Sequence, residues 1–179
     1  MCRSYPNNSQ GGTKMSFQGR SFLLVVISLV FAVAAFGQMG SFGHNVADMK
    51  FTTIPPLPTC ATGSVQNGDP SSGPSFIHAR AQSGCTIPWH WHTPNEHLVI
   101  VSGVARIDMK DAKSVILRPG GFAKLESKHV HQFHCVSTCQ FYVYSDMAFD
   151  LHYVDKAGTE ITPADALKAV KETVATSMK

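Results

Sequence analysis

Residues 84–103, GCTIPWHWHTPNEHLVIVSG, constrain this chain more than any other stretch. His90 and His92 alternate, so a β-strand carries both imidazoles on one face. Their Cα atoms then lie about 6.6 Å apart, two strand rises. Two rings leaning over that gap can share one ion at bonds of about 2.0–2.1 Å. Thr93-Pro94-Asn95 is turn chemistry, and Pro94, which has no N–H to give a ladder, bends the strand. The bend returns Glu96 to the two histidines as an anionic oxygen ligand. Leu98-Val99-Ile100-Val101 reads as a buried strand, and Gly103 turns it back. With nine histidines in the chain, one alternating pair alone carries little weight; its setting between these glycines, turn and strand carries more.

Written as spacing, the stretch is Gly84, five residues, His90, one, His92, three, Glu96, six, Gly103. This resembles the first motif of the cupin superfamily with every position filled. The second cupin motif resembles Gly, five residues, Pro, one, Gly, two, His, three, Asn. Here it falls on Gly120 to Cys135, with His131 in the ligand position. Glu126 stands where the family has Pro, Lys128 where it has Gly, and Cys135 where it has Asn. These departures bear on the turn before His131 more than on the histidine itself. His129 has the same strand parity and takes the ligand position if the register shifts by two; the spacing from Gly120 favours His131. The resemblance implies an all-β, cupin-type double-stranded β-helix, a jelly-roll barrel, with one divalent transition-metal ion held by His90, His92, Glu96 and His131. Mn, Fe, Co, Ni, Cu and Zn all accept three imidazoles and a carboxylate, so the ligand set does not choose among them.

The rest of the chain fits a β-rich domain behind a leader. Residues 1–14 are polar and bury nothing. Met1 and Met15 are both candidate translation starts. Arg20 precedes an apolar run from Ser21 to Phe36, and Ala35 and Gly37 stand at the −3 and −1 positions of a cleavage site. Residues 1–37 therefore read as leader and signal peptide, with export to the periplasm or medium and no stable membrane association after cleavage. An uncleaved membrane anchor is the alternative, although the run is shorter than the ~20 residues a spanning helix needs. Arg3, Lys14 and Arg20 precede the first acid, Asp48, and the remaining 12 basic residues balance 12 acidic ones. That balance leaves no basic patch large enough to suggest a nucleic-acid partner, and no polybasic membrane tail.

Residues 38–59 form an extended lead-in, with Ile54-Pro55-Pro56-Leu57-Pro58 incompatible with helix. The barrel spans 60–155. Strands are expected at 61–65, 76–81, 104–109, 114–117, 122–125, 130–136, 139–146 and 151–154, around the first motif. A turn and one short C-terminal helix occupy 156–179. Thr162 is its N-cap, Pro163 is N1 and Asp165 is N3, with Leu167, Val170 and Val174 as an apolar stripe. The helix packs on the barrel or serves a homodimer interface.

Cys60, Cys85, Cys135 and Cys139 remain after the leader, and export permits disulfides. Cys135 with Cys139 and Cys60 with Cys85 are the expected pairs; four free buried thiols are the alternative. Trp89, Trp91, Phe133, Tyr142 and Tyr144 are aromatic candidates for a pocket wall, with core or surface packing as the plainer reading. Glu126, His129 and Arg106 are candidates for an acid, a base and an anion clamp near the ion; each is also an ordinary surface type. His97 falls on the opposite face from Glu96, and His44, His78, His134 and His152 carry no ligand pattern. Two functions are compatible with this. One is a metal-dependent enzyme of oxygenase, decarboxylase or isomerase type on a small molecule. The other is a non-enzymatic metallo-cupin that binds or senses a small ligand.

Overall fold

Among the described residues, strand-forming segments broken by Gly, Pro and Asp turns produce eleven strands in two antiparallel sheets. The computed structural model describes residues 41–177, with side chains through residue 170. The expected leader and cleavage site fall outside the described residues, and among those described no helix is long and apolar enough to cross a membrane. The compact unit runs from His44.

The strands are β1 (Thr52–Thr53), β2 (Ala61–Gly68), β3 (Ser75–Ala81), β4 (Thr86–Trp91), β5 (Glu96–Ser102), β6 (Ala105–Met109), β7 (Val115–Leu117), β8 (Phe122–Leu125), β9 (His131–Cys135), β10 (Cys139–Ser145) and β11 (His152–Tyr153). One sheet has the order β1-β2-β3-β10-β5-β8 and the other β11-β4-β9-β6-β7. From β3 onward each strand passes to the other sheet except β6 to β7, which is the jelly-roll connection. The expected strands are all present. β1 was not expected, because two residues of an extended lead-in carry no period.

Each strand places alternate residues inward. In β3 Ile77, Ala79 and Ala81 are buried while Phe76 and Arg80 are not; in β5 Leu98 and Ile100 are buried while Val99 and Val101 are exposed. Phe133 of β9 meets Phe141 of β10 across the two sheets with ring centroids 4.7 Å apart. Full burial of side chains such as Leu98, Ile100, Ile107 and Phe133 contributes about 1.5–3 kcal/mol each. Gly103 closes the first motif at φ 79°, and a Cβ there would lie 2.2 Å from the Thr138 carbonyl oxygen, so only glycine fits the turn.

Away from the site, Cys60 is bonded to Cys85 and Cys135 to Cys139. Both pairs match the expected pairing, and the Cys135 N–H donates to the Cys85 carbonyl at 2.9 Å, so the bridges are neighbours. On the outer face of the six-stranded sheet the lead-in covers β3. Phe51 sits edge-on to His78 at 5.2 Å, and the Arg80 guanidinium lies 3.6 Å from the Phe51 ring centre.

Helix α1 (Pro163–Ser177) starts as its sequence dictates. The Asp165 N–H donates to Thr162 Oγ1 at 3.2 Å, which satisfies one of the free donors of the first turn. Among the described side chains of α1, Ala166 is fully buried and Leu167 and Val170 are half-buried, so the inward stripe includes an alanine the apolar spacing passed over. The Val174 side chain lies outside the described residues. α1 packs against β4.

Candidate metal centre

Four buried side chains from three strands converge inside the barrel: His90 from β4, His92 just beyond it, Glu96 at the start of β5 and His131 at the start of β9. His90 and His131 are directly opposite in the β4–β9 ladder. That pairing depends on a β-bulge. Ile87 faces Phe133 and His90 faces His131, so Pro88 and Trp89 together oppose Gln132. The extra residue turns both Ile87 and His90 inward and puts Trp89 on the outer surface.

The turn after His92 is tied down by side chains. The Thr93 N–H donates to Asp150 Oδ1 at 2.7 Å. Asn95 donates its backbone N–H and Nδ2 to the Asp146 carboxylate at 3.1 and 2.7 Å, which holds Asp146 below the usual carboxylate range. Asn95 Oδ1 accepts from the Ser127 N–H at 3.1 Å. Lys128, where a glycine was expected, takes a glycine-like φ of 60°, and its N–H donates to the His92 carbonyl at 2.7 Å. The turn before His131 therefore forms despite the departure from the motif.

The ring nitrogens of His90, His92 and His131 that face one another lie within 4.8 Å of each other. Movements of about an ångström bring such a cluster to the 2.0–2.1 Å bonds of a shared ion. Glu96 Oε2 is 3.6 Å from His92 Nε2 and 3.5 Å from His131 Nε2. Each Nδ1 contacts a backbone carbonyl: His90 to Pro88 at 2.6 Å, His92 to Asp150, and His131 to His129 at 2.8 Å. A carbonyl only accepts, so each Nδ1 carries the proton and each Nε2 turns its lone pair inward.

Burial, and behind it repulsion from His131 and His92, pushes His90 well below the ordinary histidine value. Burial lowers His92 too, against the pull of Glu96. Burial alone would raise the Glu96 carboxyl; its contact with His131 and the nearby histidine charges outweigh that and hold it below its usual value. Three lone pairs and a carboxylate thus meet in one buried place. One proton can serve two of these four acceptors; one cation can serve all four.

No other described titratable side chain joins them. Tyr153 is buried 6.2 Å from His90 between ring centres, but its hydroxyl donates to the Pro56 carbonyl, and burial pushes its pKa up to about 12. Phe149 lies against His92 at 4.2 Å. Of the three candidate helpers, His129 contributes its carbonyl to His131 while its ring faces the Lys110 carbonyl. Glu126 is exposed and paired with Lys124, and Arg106 is on the outer surface paired with Asp108. Neither Glu126 nor Arg106 reaches the cluster. Of the five aromatic candidates Phe133 alone is fully buried in the core; Tyr142 and Tyr144 lie on the outer face of the six-stranded sheet. His97 also points outward, between Tyr144 and Phe122. Sequence reasoning missed the contribution of Asp150, whose carbonyl comes from 58 residues away in the chain.

Comparison with known proteins agrees with this architecture. Residues 77–145 match the family described as "Cupin domain". No curated protein matches the chain. Among solved structures, the polyketide cyclase RemF from Streptomyces resistomycificus is similar with a TM-score of 0.57 at 14% identity, over 65% of this chain and 87% of RemF. An RmlC-like cupin from Shewanella frigidimarina gives 0.50 at 13% identity, over 62% of this chain and 91% of its own. KdgF from Halomonas sp. gives 0.50 at 14%, over 59% and 94%. At such identities the likeness is one of fold. The match over residues 77–145, carried on a jelly-roll barrel that these structures share, makes this stretch of the chain a cupin domain.

Proposed function

We propose that the barrel binds one divalent transition-metal ion through His90, His92, His131 and Glu96 and uses it to act as a metal-dependent enzyme on a small molecule. The observation that carries this is the orientation of the three imidazoles. All three Nδ1 atoms are engaged with carbonyls, so three Nε2 lone pairs and the Glu96 carboxylate face one point. Such an arrangement is stable when a cation neutralises it. A six-coordinate ion bound by four protein ligands keeps positions for a small chelating molecule, and supplies Lewis-acid or redox chemistry there according to its identity.

The surrounding residues narrow the chemistry. The described buried polar and charged side chains are Ser75, His78, His90, His92, Glu96, His131 and Ser145. Ser145 donates its hydroxyl to the Met147 carbonyl, and His78 lies on the outer face of its sheet. Among the described buried residues, no carboxylate or imidazole besides the four ligands faces the site. A reaction in this barrel would draw its polarisation from the ion, and the chain's own part would be to hold the ligands, with Phe149 and Tyr153 packed against His92 and His90. The same absence supports a second reading, a barrel that binds or senses a small ligand without converting it.

Elemental analysis of the protein purified after export tests the proposal. The expected result is one equivalent of a transition metal, lowered at least about 100-fold in affinity by Glu96→Gln, which keeps an oxygen but removes the charge. Metal content far below one equivalent after incubation with each of the six candidate ions overturns it. Substrate turnover in the loaded protein separates the enzyme from the non-enzymatic barrel.

A further inference from the structure

The bulge that turns His90 inward leaves Trp89 on the outer face of the five-stranded sheet. There Trp89 borders a cavity of about 540 Å³ between that face and α1. This volume is in the range of small-molecule sites. Val154, Ile161, Ala166 and Val170 make its apolar side. Gln132, Lys156 and His134, whose Nδ1 is 2.7 Å from Thr86 Oγ1, give it a polar edge. Asp155 also borders it, but its Oδ1 accepts the N–H groups of Ala157 and Thr159 at 2.9 Å each. A smaller hollow of about 340 Å³ shares Trp89, Asp155 and Lys156 and adds Lys110. Lys110 comes close to Gly158, where a Cβ would lie 2.7 Å from Nζ, so glycine leaves room for that ammonium.

Two lysines thus border the hollows that Trp89 lines beside an apolar chamber, and the carboxylate nearby already caps its own loop. We propose that this cavity is a second ligand site, separate from the histidine cluster, for a small amphipathic carboxylate with its apolar body under α1 and its carboxylate at Lys156. An apolar chamber with a cationic rim selects a ligand with an apolar body and one negative charge.

The test uses octanoate as the anionic probe and octan-1-ol as its neutral counterpart. Trp89 and Trp91 are the chain's two tryptophans, so Trp91→Phe makes Trp89 the sole tryptophan, excited selectively over the tyrosines. In that background octanoate is expected to give a saturable change in emission. Lys156→Gln should weaken octanoate about tenfold and leave octan-1-ol unchanged. Ala169→Phe, at an exposed lining position of α1, should fill the chamber and abolish binding of both probes while circular dichroism stays that of the parent. A response that does not saturate overturns the proposal. So does octanoate affinity unaltered by Lys156→Gln, which remains decisive should Ala169→Phe disturb the helix.

Discussion

His131 Nε2 lies 3.5 Å from Glu96 Oε2, while the Nδ1 of the same ring holds the carbonyl of His129 at 2.8 Å. These two contacts fix what His131 can do. One nitrogen is committed to the backbone, and the other is aimed at an anion and two further imidazoles. The competing histidine, His129, supports this arrangement through its backbone, while its own ring is turned toward Lys110.

Lys128 occupies left-handed backbone, φ 60°, in the turn that delivers His131. A side chain there costs about 1 kcal/mol relative to glycine. Lys128→Gly keeps the N–H donated to His92 and should raise the thermal midpoint by about 4 °C with metal stoichiometry unchanged. Lys128→Val should lower the midpoint. Differential scanning calorimetry of the two variants checks the sign of both shifts.

The disulfides differ in the loops they close. Cys60 and Cys85 are 25 residues apart and Cys135 and Cys139 only four. Removing the first pair as a double alanine variant should cost about 3 kcal/mol and removing the second about 2 kcal/mol, from loop entropy. Urea unfolding of each variant gives the order, and non-reducing peptide mapping gives the pairing.

His78 predicts an acid-sensitive stability. It is buried on the outer face of its sheet among Met49, Phe51 and Tyr142, with Gln140 and Arg80 beside it. Burial, and then the charge of Arg80, lowers its pKa below 6.5. A group whose folded pKa is lowered binds fewer protons folded than unfolded. Its contribution is present above pH 6.5 and is lost as pH falls through the lowered value, at up to about 1.4 kcal/mol per pH unit. His78→Gln should therefore flatten the dependence of unfolding free energy on pH on the acid side of 6.5, measured by urea titration at fixed salt.

Much of this was legible in the sequence for local reasons. The His90, His92 and Glu96 spacing, the strand runs and the Thr162-Pro163 helix start are short-range signals. What was not legible depends on distant parts of the chain. The Asp150 carbonyl that orients His92 and the Phe51 ring over His78 come from elements with no periodic pattern. The bulge at Pro88 and Trp89 shows only when β4 is paired with β9. Glu126 and Arg106 carried suitable chemistry, yet strand parity and their own partners Lys124 and Asp108 take them away from the cluster. The chamber under α1 exists because the helix docks on the outer face of β4, and nothing in the helix's own sequence specifies that surface.

The most direct test of the proposed metal centre is the metal stoichiometry of His131→Ala beside His129→Ala, with both variants shown to be folded by circular dichroism. His131→Ala removes one of three converging lone pairs and should leave the protein essentially without metal. His129→Ala keeps the backbone carbonyl that orients His131 and should retain close to one equivalent. A protein that keeps its metal without the His131 ring, or loses it without the His129 ring, contradicts this account of the site.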